Sequence, residues 1–276
     1  MGDRVDVSTL SRPVDLVTRL ARSVALRPRT FAVEADDAAL TYEALERLSN
    51  QLAHRLRERL TACARGQPRV GVSLRRGATE LVALLATLKV GAAYVPLDPS
   101  HPPERLRLVL EDAAPDVMIV DPRSPLFEPG AAVIALDDLP SIGSEHPVTP
   151  LHVGVHADAI AYVMFTSGST GRPKGVEVTR AALANFLGSM THTPGLSPED
   201  RLLAVTTTAF DIAGLELYLP LCVGATVIIA DTQTTRDPRR LRQRLERGDV
   251  TVMQATPATW RMLLDAGWRG GERPLR

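Results

Sequence analysis

The sequence predicts an α/β fold with mainly parallel sheets that are covered by helices on both faces. From Arg69 onward, short apolar segments typical of buried strands alternate with segments whose leucines recur every three or four residues. Asp237-Pro238 and Thr256-Pro257 each place proline after a favoured N-cap residue, which predicts two further helix starts. Helices between strands favour parallel pairing, because each crossover helix then lies across a face of the sheet.

Helices are predicted where apolar residues share one face or where a capping residue precedes them. Thr41 is expected to cap a long helix, and Gly91 to end another in the left-handed conformation. Asp211 is a candidate cap for a helix that starts at Ile212. In chain order, the predicted helices lie at residues 14–23, 41–56 and 81–88, after Pro103, at 183–190, and after Asp211, Pro238 and Pro257.

Strands are predicted for the short apolar segments between these helices. They comprise residues 31–33, 70–74, 117–120, 133–136, 161–165, 176–178, 202–205, 226–230 and 250–253, whereas residues 1–12 are expected to be a tail or linker. Ligands of such folds bind at the carboxyl ends of the strands. The loop after segment 161–165 lies in that position.

The amino-acid composition limits the classes of protein to which this chain can belong. The 276 residues include 32 basic and 32 acidic side chains, so we expect neither a nucleic-acid partner nor binding to an anionic membrane. Cys63 and Cys222 are isolated and no basic-then-apolar leader opens the chain, which favours a cytoplasmic location. Segment 217–230 is too short to span a bilayer. The loop histidines match no metal-binding spacing, so no metal site is predicted: His146, His152 and His156.

A polar loop rich in hydroxyls and glycine follows segment 161–165. It reads Thr166-Ser167-Gly168-Ser169-Thr170-Gly171-Arg172-Pro173-Lys174-Gly175. Backbone N–H groups, hydroxyls and one ammonium can converge there on a single anion, and phosphate is the group that they suit. The loop is not of the Walker type, because Pro173 precedes Lys174 and Gly175 follows it. A Ser/Gly-rich surface turn is the alternative interpretation.

Four other stretches accompany this loop. They are LTYEAL at residues 40–45, LKVGAAYVPLDP at 88–99, FDIAGLEL at 210–217 and VMQATP at 252–257. With the loop they resemble, in the same order, the motifs of the adenylate-forming superfamily, and within it the adenylation domains of nonribosomal peptide synthetases. The resemblance covers nearly all of residues 13–270. It implies that residues 13–276 are an incomplete part of the large N-terminal subdomain of such a domain.

The resemblance implies ATP-dependent activation of an amino acid to aminoacyl-AMP, followed by transfer to the phosphopantetheine thiol of a peptidyl carrier protein. Lys174 and Thr166 are the implied catalytic residues. The implied phosphate-binding residues are Thr166, Ser167, Gly168, Ser169, Thr170, Gly171 and Lys174. The ligands of Mg²⁺ are expected outside this chain, and the need for a small activator protein stays open.

Asp211 decides the substrate class within the superfamily. The resemblance implies that it pairs with the substrate's α-ammonium, and ligases for plain carboxylic acids lack it. The other implied substrate-binding residues are Phe210, Ile212, Leu215 and Gln254. The order Asp, Ile, Leu, Gln resembles the start of the pocket code of glycine-activating domains. Another small amino acid, such as alanine, is the rival substrate, and Ile212 and Leu215 could instead be core residues.

Two alternatives to an amino-acid adenylating enzyme stay open. One is an acyl- or aryl-acid ligase of the same superfamily, and the other is a non-catalytic remnant or split subunit that binds a partner. Arg180 is a departure from the family pattern, since many relatives carry histidine at this position.

Overall fold

The computed structural model describes residues 14–60, 66–128, 130, 132–167, 172–271 and 274–276. The predicted tail at residues 1–12 lies outside this range. The helices are α1 (Leu16–Leu26), α2 (Tyr42–Leu60), α3 (Ala78–Lys89), α4 (Pro103–Ala113), α5 (Arg180–Met190), α6 (Ala213–Val223), α7 (Thr232–Arg236), α8 (Pro238–Glu246) and α9 (Pro257–Asp265). The strands are β1 (Phe31–Ala35), β2 (Ala39–Thr41), β3 (Arg69–Ser73), β4 (Ala93–Pro96), β5 (Val117–Val120), β6 (Val133–Ala135), β7 (Ile160–Thr166), β8 (Lys174–Thr179), β9 (Arg201–Ala204) and β10 (Thr226–Ile229).

The described strands form two sheets. One has four strands in the order β2-β1-β10-β9, and the other has six in the order β6-β5-β3-β4-β7-β8. Pairing is parallel except at β1–β2 and β7–β8, which are antiparallel. The predicted α/β class with mainly parallel sheets is therefore confirmed.

The helices separate and cover the two sheets. The largest core cluster joins α1, α2, α3 and α6 to the facing sides of both sheets. Smaller clusters lie on the outer sides, with α4 on the six-stranded sheet and α8 and α9 on the four-stranded sheet. Each sheet thus has apolar contacts on two faces, as continuous apolar strands require. In the part of the chain that the structure describes, no helix is long and apolar enough to cross a membrane.

The local predictions of helix ends agree closely with the structure. The Thr41 hydroxyl accepts a hydrogen bond from the backbone N–H of Ala44 at the start of α2. Asp237 and Thr256 cap α8 and α9, each followed by proline. Gly91 follows α3 with φ of 84°, in the left-handed region.

Two sequence predictions need correction. Residues 250–253 form no regular strand: Val252 makes one isolated parallel bridge with Leu202. At this point the Thr251 hydroxyl accepts the N–H of Arg201, and the N–H groups of Thr251 and Val252 both donate to the carbonyl of Arg201. Asp211 does not cap a helix either. Helix α6 begins at Ala213 with no side-chain cap. Asp211 contributes its backbone carbonyl, which accepts the N–H of Gly214, and not its carboxylate.

A buried ammonium joins α2 to α3. Lys89 is 5% exposed, and its Nζ lies 2.7 Å from Glu46 Oε2, 2.8 Å from Ser49 Oγ and 2.7 Å from Asn50 Oδ1. Burial lowers the pKa of Lys89, and the Glu46 carboxylate opposes that shift. All three donors of the ammonium have partners, which is the condition under which a buried charge is tolerated.

Replacing Lys89 tests this link. Lys89→Met keeps most of the volume but leaves the Glu46 carboxylate without its counter-charge, so we expect a loss of about 3 to 5 kcal/mol in the free energy of unfolding. Urea denaturation of both proteins measures it. Arg107→Met, which removes an exposed ion pair with Glu104 and Glu111, is the control and should barely change the midpoint. Equal losses in the two variants would contradict a special role for Lys89.

Candidate functional site

The carboxyl ends of strands from both sheets meet at one edge of the molecule. Arg76, just after β3, reaches across to the other sheet. Its Nε donates to the carbonyl of Ala230 at 2.9 Å and its Nη2 to that of Ala204 at 3.1 Å, and Nη1 donates to the carbonyl of Thr206. These carbonyls follow or end β10 and β9. A guanidinium from one sheet therefore holds the strand ends of the other, at the edge where ligands of parallel sheets bind.

The predicted phosphate loop connects β7 to β8 at this edge. Thr166 and Lys174 lie opposite each other as the last paired residues of the antiparallel hairpin. The side chains of Thr166, Ser167 and Lys174 are exposed. The hairpin closes tightly, since a Cβ on Gly175 would lie 3.1 Å from the Phe165 ring. The predicted phosphate-binding residues Gly168, Ser169, Thr170 and Gly171 lie outside the described residues.

A second segment at the same edge, residues 205–212, carries Asp211 between β9 and α6. Three consecutive threonines hold it, each donating its hydroxyl to a carboxylate on a different element. Thr206 donates to Glu216 at 2.5 Å, Thr207 to Asp98 at 2.7 Å and Thr208 to Glu80 at 2.7 Å. The carboxylates belong to α6, to the loop after β4 and to α3, so the segment is fixed from three directions.

The Asp211 side chain is exposed, and its carboxylate makes no hydrogen bond or ion pair with the described residues. Its charge nevertheless affects Tyr162, which lies in β7. Burial raises the pKa of Tyr162 to about 12, and the Asp211 carboxylate contributes to that shift. The Tyr162 ring packs on Tyr94 of β4, with 5.3 Å between ring centroids. A free carboxylate thus lies close to the strand that leads into the Thr166–Lys174 loop.

The other predicted pocket residues differ in their surroundings. Phe210 is 61% exposed, whereas Leu215 is 7% exposed and belongs to the main core. Ile212 packs against the same core, as the core interpretation of these two residues expected. Gln254 is half-buried. With its amide oriented to satisfy its neighbours, its Nε2 donates to Glu216 Oε1 at 2.7 Å and its Oε1 accepts from Ala255 N at 3.3 Å.

Arg180 lies away from this edge. It is the first residue of α5, 6% exposed, and its guanidinium donates to the carbonyl of Leu88 at the far end of α3. Its Nη1 is 3.6 Å from Asp15 Oδ1. The residue therefore links α5 to the C-terminal end of α3 and the start of α1. Among the described residues, no group of three or more histidine, cysteine or acidic side chains could hold a metal ion.

Sequence reasoning missed the carboxylates that hold the Asp211 segment. Glu80 is 7% exposed, and burial raises its pKa to about 7, although the hydrogen bond from Thr208 and the charge of Arg76 oppose the shift. Glu216 has no exposed surface, and burial raises its pKa as well. One signal was available: Glu216 is the only charged residue in the apolar helix α6. A charge in such a helix needs a partner.

Comparison with known proteins yields a consistent set of relatives. A family model described as "AMP-binding enzyme" matches residues 20–273. The chain is 41% identical over 263 residues to a dimodular nonribosomal peptide synthase of Bacillus subtilis, covering 91% of this chain and 11% of that protein. It is 34% identical over 233 residues to malpinin synthetase of Mortierella alpina, covering 84% of this chain and 3% of that protein.

Solved structures show the same similarity. A holo four-domain nonribosomal peptide synthetase, bound to AMP and glycine, matches with a TM-score of 0.78 and 33% identity, over 97% of this chain and 19% of that one. Another nonribosomal peptide synthetase, in an AMPPNP-bound form, matches with a TM-score of 0.81 and 28% identity, over 92% of this chain and 26% of that one. The resemblance read from the sequence motifs is confirmed.

The buried carboxyl of Glu80 predicts a pH-dependent stability. Its folded pKa of about 7 lies above the ordinary value of 4.5, so the folded protein binds more protons than the unfolded chain between these values. Stability should therefore fall as pH rises through this window. Glu80→Gln removes the titration. From about pH 5 to about pH 8, the wild type should lose roughly 2 to 3 kcal/mol relative to that variant.

Urea denaturation at the two pH values measures the difference. The charged groups that face Glu80 are Arg76, Asp98 and Asp37, and the buried phenols of Tyr94 and Tyr218 lie near it. These groups stay in place in the Glu80→Gln variant, so the comparison isolates the Glu80 carboxyl. Glu246→Gln on the exposed side of α8 is the control. A pH-independent difference between wild type and Glu80→Gln would contradict the assignment.

Proposed function

The chain belongs to the AMP-binding enzyme family, and from this premise we propose that it activates an amino acid, with glycine as the first candidate, for nonribosomal peptide synthesis. The observation that carries the proposal is the shared edge: the Thr166–Lys174 loop lies next to the segment of Asp211, whose carboxylate pairs with none of the described residues. The chain spans about a tenth or less of the curated relatives described above. The activity of the whole protein is therefore part of the proposal.

In the proposed reaction, a carboxylate oxygen of the amino acid attacks the α-phosphorus of ATP. The bond from that phosphorus to the bridging oxygen breaks, and pyrophosphate leaves as aminoacyl-AMP forms. The thiol of a carrier-bound phosphopantetheine then attacks the acyl carbon, loses its proton and displaces AMP. Positioning and charge stabilisation supply most of the catalysis in such transfers.

The phosphate half of the site is assigned to the β7–β8 loop. Thr166 and Ser167 would donate hydroxyl hydrogen bonds to the β- and γ-phosphates together with Ser169 and Thr170, while Gly168 and Gly171 allow the backbone to wrap. Lys174, opposite Thr166 in the hairpin, would balance charge on the leaving pyrophosphate. Mg²⁺ neutralises triphosphate charge when bound. The described residues offer no cluster for it, so no residue of this chain is assigned to the metal.

The amino-acid half is assigned to Asp211 and the residues around it. A zwitterion that enters a partly dry pocket needs a carboxylate for its ammonium, because an unpaired buried charge costs several kcal/mol. Asp211 is free for that role, since it neither caps α6 nor pairs with a described cation. Phe210, Ile212, Leu215 and Gln254 would form the walls. The glycine bound in the four-domain relative supports glycine as the candidate, with alanine as its rival.

Lys174→Ala tests the phosphate half. Removing one charge-stabilising donor should slow amino-acid-dependent ATP–pyrophosphate exchange by roughly tenfold to a thousandfold. The assay uses the longest native polypeptide that contains this chain. Arg172→Ala removes an exposed cation from the same loop and should have a much smaller effect, because its neighbour is Glu111 at 3.9 Å. An unchanged rate in Lys174→Ala would remove the loop assignment.

Asp211→Asn tests the amino-acid half. Glycine and acetate form a matched pair of substrates that differ in the ammonium group. Wild type should favour glycine in pyrophosphate exchange, and Asp211→Asn should reduce that preference by roughly tenfold to a hundredfold, the effect of losing a hydrogen bond to a charged group. Alanine, serine and a large amino acid complete the panel. Exchange that depends on simple carboxylic acids alone would favour the acyl- or aryl-acid ligase instead.

A further inference from the structure

One buried carboxylate joins the two segments that carry the proposed amino-acid site. Glu216 Oε2 accepts the backbone N–H groups of Val205 and Thr206, each at 2.8 Å. Oε1 accepts the Thr206 hydroxyl at 2.5 Å and, from a separate segment, the Gln254 amide at 2.7 Å. Four donors therefore converge on a side chain that has no exposed surface.

Burying a carboxylate at this place costs more folding free energy than burying an apolar side chain would. Helix α6 is otherwise apolar, and a buried carboxylate adds stability to such a helix only if every donor around it is well placed. Val205 and Thr206 have left the β9 ladder, so their N–H groups need acceptors. Glu216 supplies them and simultaneously binds Gln254. The carboxylate thus fixes the distance between two segments that no regular strand pairing connects beyond the Leu202–Val252 bridge.

We propose that Glu216 is a positioning residue for the amino-acid site, which it serves by holding the segment before Asp211 and the Gln254 amide in one hydrogen-bonded group. The inference rests on the proposed function for its substrate. Asp211 follows Thr206 by five residues, and the bonds from Thr207 to Asp98 and from Thr208 to Glu80 carry the constraint along the segment. Glu216 touches no reacting atom: it acts through Asp211 and Gln254.

Glu216→Gln disturbs the group with little change in volume. The introduced amide keeps one acceptor oxygen for the two backbone N–H groups, but its NH₂ faces the Thr206 hydroxyl and the Gln254 amide. Gln254 cannot simply rotate its amide, because its oxygen accepts from Ala255 N at 3.3 Å. Adding Gln254→Glu restores the pairing, since a carboxylate there accepts from both the introduced amide and Ala255. The single Gln254→Glu variant places its carboxylate opposite that of Glu216. We expect it to impair the site more than Glu216→Gln or the double variant does.

The first test is steady-state pyrophosphate exchange on the longest native polypeptide. Glu216→Gln should raise KM for glycine about tenfold, the effect of leaving a buried partner unsatisfied, while KM for ATP changes by less than about twofold. The double variant Glu216→Gln/Gln254→Glu should recover most of the loss. Glu246→Gln is the control glutamate. Equal increases in both KM values without recovery in the double variant would overturn the proposal, because a general packing defect would explain them.

The second test does not depend on activity. Amide hydrogen exchange in the ligand-free protein should become faster in residues 205–211 and 253–256 together in Glu216→Gln, and return toward wild type in the double variant. Unchanged exchange in both segments would overturn the proposal. If wild type shows no amino-acid-dependent pyrophosphate exchange, the proposed function fails. Coupled hydrogen exchange would then still support Glu216 as the link between the two segments.

Discussion

Arg76 provides the positive charge on which the arrangement of the carboxyl edge depends. Its guanidinium spans the two sheets and binds carbonyls at the ends of β9 and β10. The same charge lowers the pKa of both Glu80 and Glu216, against the larger effect of their burial. The half-buried guanidinium therefore offsets part of the cost of burying the two carboxyl groups.

Those acceptors explain how an irregular segment is held at the edge. Residues 205–212 leave the β9 ladder before α6 begins, so their polar groups need partners elsewhere. The three threonine hydroxyls donate to carboxyl groups on three different elements, which holds the segment from three directions. Asp211 lies in this fixed segment with its side chain exposed and with no partner for its carboxylate among the described residues.

More of the fold than of the candidate site could be predicted from the sequence. Segment 117–120 was predicted as a strand and is β5, and the caps at Thr41, Asp237 and Thr256 are confirmed, because strand periodicity and capping are local properties of the chain. The bond from Thr208 to Glu80 joins residues 128 positions apart, and no local pattern contains it. Residues 250–253 show why a local pattern is not sufficient to predict a strand. An apolar run predicts burial, but the available pairing partners decide whether it becomes a strand.

The two halves of the proposed site are held by different interactions, and this difference has a physical consequence. The two ends of the proposed phosphate loop, Thr166 and Lys174, pair in the β7–β8 ladder, whose outer strand β8 is the last in its sheet and largely exposed. The Asp211 segment depends instead on three carboxyl groups, and one of them, Glu80, has a folded pKa of about 7, so its ionisation changes near neutral pH. Backbone ladders do not titrate in that range. A change of pH across neutrality should therefore act on the Asp211 segment and leave the geometry of the hairpin unchanged.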